Sequence, residues 1–148
     1  MPLAVPPLRS PLPAALTSLT LADLPAWQAR RRPGAAALRF GGVAASHAAL
    51  HRRSLQWAAW LRSQGVDSGD RIAWLGKNAV LYFTLLFGAA RIGVVMAPVG
   101  WRLAAPERRY IVHDTESKLL FAGDGFADDA RALAPQLPLV QRIFSADE

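Results

Sequence analysis

The sequence predicts an α/β fold: a mostly parallel sheet with flanking helices. Three observations carry that expectation. From Arg71 onward, short runs rich in Val, Ile, Leu, Trp and Phe alternate with segments of helical periodicity. Glycine or proline punctuates most of the junctions. Apolar residues make up 52% of the 148 and charged residues 19%, a composition that buries one sizeable core and argues against disorder. Strands separated by helices of about ten residues imply right-handed βαβ crossovers and a sheet covered on both faces.

The first residues stand apart. "MPLAVPPLRSPLP" holds five prolines in thirteen positions, which interrupt any secretory h-region. Residues 1–18 therefore read as a disordered, proline-rich lead-in and 19–148 as one domain. "LADLPAWQARRRP" reads as a short helix with Leu24, Ala26 and Trp27 inward, stopped by Pro33. "AALRFGGVAAS" reads as a hairpin turning at Gly41-Gly42. Ser46 then reads as the N-cap of a long helix with Leu50, Ser54, Trp57, Ala58 and Leu61 on one stripe, ended by Gly65.

The alternation follows. "RIAWL" (Arg71 to Leu75) is a strand, Asn78 caps a helix to about Ala90, and Gly93 precedes the strand "VVMAPV". The apolar run from Ala79 to Gly100 breaks at Arg91, short of the roughly 20 residues a spanning helix needs. It reads as a buried helix and a strand, so no transmembrane segment is expected. Ala105 to Thr115 is a helix with Pro106 early and Tyr110 inward. Lys118 to Ala122 is a strand, Phe126 to Leu133 a helix and Leu139 to Ser145 a last strand.

Composition narrows the chemistry. There is no cysteine, which excludes disulfides, thiolate metal sites and cysteine nucleophiles. The net charge of +6 is carried by arginine, with Lys77 and Lys118 the only lysines. Its densest cluster, "ARRRP", has no interleaved aromatics to stack on bases, so no nucleic-acid partner is expected.

Candidate motifs resolve into scaffold. "LGKN" carries a Gly-Lys, but Asn78 cannot give the magnesium-binding hydroxyl of a phosphate loop, and the upstream glycine is missing. Gly76 reads as a turn glycine. His47 and His51 stand four apart without an intervening glutamate or a third ligand, and His113 is isolated. The acidic pairs Asp67 with Asp70, Asp114 with Glu116, and Asp128 with Asp129 read as turn and helix-end caps. No catalytic, cofactor-binding or metal residue is assigned.

The order of the blocks carries a resemblance. "ARRRP", "ALRFGGVAASHAAL", "WLRSQGVDSGDRIAWLGKN", "LFGAARIGVVMAPVGWRL" and "ERRYIVHDTESKLLFA" together resemble the N-terminal segment of the AMP-forming acyl-CoA synthetases, the adenylate-forming ligases. The similarity runs from about Leu19 to Ala122 and more loosely to the end. It departs where the family has Tyr and Glu (here His47 and Ala49) and where it has Asn (here Gly100). The resemblance implies an acid–CoA ligase using ATP, Mg and CoA in the intact enzyme, and the absence of cysteine fits a cytoplasmic location. The family's Pro-Lys-Gly phosphate loop and catalytic lysine have no counterpart here. The chain is accordingly expected to be an N-terminal fragment, inactive alone, partnered by the remainder of a split ligase or by its own copies. The alternative is a non-catalytic α/β interaction module.

Overall fold

In a computed structural model, residues 19–146 are described; the lead-in expected over residues 1–18 lies outside them. The elements in chain order are α1 (Leu24–Arg31), β1 (Ala36–Phe40), β2 (Val43–Ser46), α2 (His47–Ser63), β3 (Arg71–Leu75), α3 (Val80–Arg91), β4 (Val95–Val99), α4 (Ala105–Asp114), β5 (Leu119–Ala122), α5 (Ala127–Leu133), a 3-10 turn (Ala134–Gln136) and β6 (Arg142–Ser145). Strands β3 to β6 form a parallel sheet in the order β4-β3-β5-β6, as the alternation predicts. β1 and β2 make a separate antiparallel hairpin. Gly41 and Gly42 take φ of +55° and +79° at its turn, a conformation that costs a side-chain-bearing residue.

Successive side chains of a strand point to opposite faces, and this divides the core in two. Ile72, Trp74, Leu119 and Phe121 lie beneath α2 and α3, packed with Leu61, Leu85 and Ala89. Ala73, Leu75, Leu120 and Ala122 lie on the other face, against Val112 of α4 and Ala130 and Leu133 of α5. The strand ends are level, because Leu75 pairs with both Val99 and Ala122, and Ala122 pairs with Ser145.

Helix α2 buries four of the five residues of the stripe that its periodicity predicts, Leu50, Ser54, Ala58 and Leu61, and leaves Trp57 partly exposed. Ser46 Oγ accepts from the Ala49 amide at 3.2 Å, and Gly65 follows the C-cap with φ +76°. Ser46→Ala removes that cap, and thermal or urea unfolding should show a loss of about 1 kcal/mol. No helix of the described residues is long and apolar enough to cross a membrane. The apolar run after Ala79 folds as α3 and β4.

Four local expectations are corrected. Asn78 does not cap α3; the N-cap is Ala79 in an extended conformation without a side-chain bond. Leu24 is exposed and Pro25 is the buried residue of α1. Tyr110 turns to solvent, whereas the Arg108 side chain is only 14% exposed and reaches Asp129 and the Trp101 carbonyl. A short helix over a short strand presents a narrow inner stripe, and Ile111 and Val112 fill it. The reading of the acidic pairs is corrected only in part: Asp128 and Asp129 stand in the first turn of α5 as read, with Arg131 and Arg108 as ion partners, while Asp70 pairs with Lys118 and Glu116 with Arg71. Asp70 also closes its turn as read, accepting from the Asp67 amide at 2.8 Å.

Candidate functional site

In an open α/β sheet, ligands bind outside the carboxyl ends of the strands, where adjacent strands send their connections to opposite faces. β3 and β5 are such a pair. β3 leads into α3 on one face, and β5 leads into α5 on the other. The point between them is built from Trp74, Gly76 and Gly123.

Gly76 is there for closeness and not for a left-handed turn, a correction to its reading as turn glycine. A Cβ added to it would stand 2.9 Å from Gly123 Cα and 3.2 Å from Trp74 Nε1. One added to Gly123 would stand 2.9 Å from Trp74 Cζ2. The two glycines make room for a buried indole whose N–H finds no acceptor among the described residues. The Tyr82 ring meets this indole edge-on, centroids 5.6 Å apart.

Beside the glycines lies a cationic shelf. Trp101, in the loop after β4, has Lys77 Nζ 4.9 Å and Arg102 Cζ 4.1 Å from its ring centroid. Phe126 lies against the same ring at 6.2 Å, and Arg108 donates to the Trp101 carbonyl at 2.7 Å. An aromatic ring between two full positive charges suits an anionic group, with Arg108 fixing the loop behind it. Lys77 was legible as a cation in "LGKN"; Trp101 was not, because nothing in "VGWRL" shows that the β4 loop meets the β3 loop. In place of a family Asn, Gly100 packs closely on Leu103, 3.1 Å from where a Cβ would sit.

The same edge carries an apolar groove of about 560 Å³. Trp57 and Trp60 of α2, Leu81 of α3, Phe121 of β5 and Phe144 of β6 line it, with Arg53 on its rim. Its aromatics touch edge to face, Trp60 to Phe144 at 4.7 Å, while Phe121 and Phe144 stack at 5.3 Å.

The histidines are elsewhere. α3 runs back along the sheet, so Arg91 sits at its amino edge. There Arg91 donates through Nε to Ser54 Oγ at 2.9 Å and through Nη2 to His51 Nδ1 at 2.7 Å. His47 begins α2, and His113 is exposed on α4. No nucleophile–base pair forms among the described residues at the carboxyl edge, and no three His, Cys, Asp or Glu side chains converge there or elsewhere in them.

Burial, the Arg91 charge and Arg30 hold His51 below its ordinary value of 6.5. Its Nδ1 accepts from a cation, so protonation breaks that bond. The unfolded chain takes up a proton near pH 6.5 that the folded chain refuses. Stability should therefore be full above that pH and decline as the pH falls toward the lower folded value. Urea unfolding at pH 8, 6 and 5 checks this, and His51→Gln should flatten the slope. Asp70, held below its ordinary 3.8 chiefly by Lys118, adds a separate loss under stronger acid.

Comparison with known proteins places the chain. The family model described as "AMP-binding enzyme" matches residues 25–147. A fatty acid–[acyl-carrier-protein] ligase, ScoC, of Streptomyces coeruleorubidus is 39% identical over 107 residues, which are 72% of this chain and 21% of that protein. A feruloyl-CoA synthase of an Amycolatopsis species is 38% identical over 77% of this chain and 23% of its own length. Among solved structures, a Mycobacterium tuberculosis fatty acyl CoA synthetase superposes with a TM-score of 0.80 at 30% identity. It covers 86% of this chain and 26% of that one. The N-terminal domain of FACL13 from the same organism gives 0.81 at 29%, covering 87% and 34%. The chain thus spans about a fifth of the length of the curated relatives it matches.

Proposed function

The chain belongs to the AMP-binding enzyme family, and we propose that it is the N-terminal part of an AMP-forming acyl-CoA synthetase, inactive by itself. The intact enzyme would join a carboxylic acid to ATP, releasing pyrophosphate, and pass the acyl group from the adenylate to CoA, releasing AMP. A fatty or aromatic acid as substrate goes with the relatives' names; a cytoplasmic location is part of the same proposal. One observation carries the reading: the family match covers the whole parallel sheet, yet the relatives extend four to five times further.

The residues present fit parts of that chemistry and not others. The shelf of Lys77, Arg102 and Trp101 suits an anionic, ring-bearing co-substrate. The described residues do not make a magnesium site, since Asp70, Glu116, Asp128 and Asp129 are each engaged by a cation and do not converge. Adenylation also needs groups that stabilise the charge developing on the transferring phosphoryl oxygens. The described carboxyl edge offers two exposed cations for that task, without a magnesium site beside them.

The test is acid-dependent pyrophosphate release by the purified 148-residue chain with Mg-ATP and CoA. We expect none above background with fatty or hydroxycinnamic acids; release at a ligase-like rate overturns the claim of inactivity. The open aromatic groove also favours the alternative, a non-catalytic interaction module. Cooperative unfolding as a clean monomer, with no gain of activity from any ligase remainder, would select that reading.

A further inference from the structure

We propose that Lys77 is an acylation site, modified by an acyl thioester of CoA that the cationic shelf draws in by its phosphates. The donor class rests on the reading above, in which such a thioester is the product of the intact enzyme.

The chain has two lysines, and their surroundings differ. Lys118 is half-buried, and its Nζ donates to Asp70 Oδ2 at 2.6 Å. Acylating it would take the cation away from a carboxylate that is only 20% exposed. Lys77 is exposed and makes no ion pair among the described residues. Its Nζ rests on the face of Trp101, 4.9 Å from the ring centroid. No described carboxylate loses a partner when this amine is neutralised.

Arg102 stands against the same ring at 4.1 Å and is also exposed. The ring between the two is held from behind by Phe126 and by the Arg108 bond to the Trp101 carbonyl. A guanidinium is a permanent charge whose fork matches phosphate, whereas a lysine amine on its flexible stem is a nucleophile once deprotonated. A polyanion that meets Arg102 keeps its thioester on a flexible tether. The carbonyl is then more concentrated around Lys77 than in bulk solution.

In the reaction, the lone pair of the deprotonated Nζ forms a bond to the thioester carbonyl carbon. The C–S bond breaks, CoA leaves as the thiolate, and the proton shed by nitrogen passes to that sulfur. The products are an amide and the free thiol of CoA, with no change in oxidation state. The amide is neutral, so the shelf loses one of its two cations and a cation–π contact.

The experiment incubates the full 148-residue chain with acetyl-CoA at mildly alkaline pH and follows each lysine by peptide mass spectrometry. Lys77 should be acetylated about tenfold or more faster than Lys118. Arg102→Gln should slow Lys77 acetylation by acetyl-CoA about fivefold or more. The same variant should leave unchanged the rate with S-acetyl-N-acetylcysteamine, a thioester without phosphates. Circular dichroism reports folding of the variant. If it unfolds, added salt on the wild-type chain decides, since screening should slow only the reaction with acetyl-CoA. Equal rates at Lys77 and Lys118, or a folded Arg102→Gln variant as fast as wild type with acetyl-CoA, overturn the proposal and leave the ligase reading standing. That reading fails by a separate route, through pyrophosphate release by the chain or a clean monomer that no ligase remainder activates.

Discussion

Trp74→Ala should destabilise the chain by about 3–5 kcal/mol, the cost of emptying a large buried aromatic site. Trp74 stands in β3, between β4 and β5, and is 2% exposed. Its ring is enclosed by the Gly76 and Gly123 backbone and by Tyr82. Those glycines belong to strand ends tied together by the Gly123 amide donating to the Leu75 carbonyl at 2.8 Å, so they cannot collapse into the space. A domain of this size has about 5–15 kcal/mol in total, so the variant should be marginal at 37 °C. Trp74→Phe separates ring from N–H. The indole N–H has no acceptor among the described residues, so losing it forfeits no hydrogen bond to them, and the cost should be clearly smaller than that of Trp74→Ala. Urea unfolding measures both. Equal losses would show that the N–H has a partner. Gly123→Ala, which strikes Cζ2 in the wild type, should become tolerable in the Trp74→Ala background, a coupling that a double-mutant cycle reads directly.

What was legible in the sequence follows from which interactions are local. The helix and strand order, the Gly41-Gly42 turn, the Ser46 cap and the Gly65 stop depend on residues a few positions apart, and they form as expected. The α2 stripe is set by period, and Leu50, Ser54, Ala58 and Leu61 are buried as read, whereas Trp57 is only partly buried and lines the groove. Asn78 failed as a cap because capping preference cannot tell which of two neighbours leaves the strand in an extended conformation; Ala79 does. Tyr110 was misread as inward because the inner face of α4 is fixed by α5 and the Trp101 loop, which Arg108 reaches 7 to 21 residues away. The shelf and the groove were invisible for the same reason. Trp57 and Trp60 meet Phe121 and Phe144 only once β5 and β6 stand side by side. The family landmarks were legible nonetheless. "GVDSGDRIAWLGKN" holds a helix stop, a turn closed by Asp70 and a core strand, all local features.

Gly88→Ala is the second large effect, and two principles disagree on its sign. Gly88 lies within α3, where helix propensity alone favours alanine by about 1 kcal/mol. Packing says the opposite. A Cβ at this position would lie 2.4 Å from Trp57 Cβ, 3.1 Å from the Ser54 carbonyl oxygen and 3.2 Å from the Ala58 nitrogen. None of these is the free end of a flexible side chain, so no rotamer change relieves the contact, and α2 and α3 must move apart. Overpacking of this kind costs about 1–3 kcal/mol before its consequences. The consequences lie one turn on. Arg91 reaches Ser54 and His51 from the same helix at 2.9 and 2.7 Å, and separating the helices stretches bonds made by a partly buried cation. Leaving such a group short of partners adds roughly 1–3 kcal/mol. Packing therefore outweighs propensity, and a net loss of about 2–4 kcal/mol is expected. Thermal unfolding should show a clear fall in midpoint, and the slope of stability between pH 8 and 5 should weaken together with the His51–Arg91 contact. A midpoint that rises would mean that the helices separate freely and that the contact between α2 and α3 contributes little to the fold.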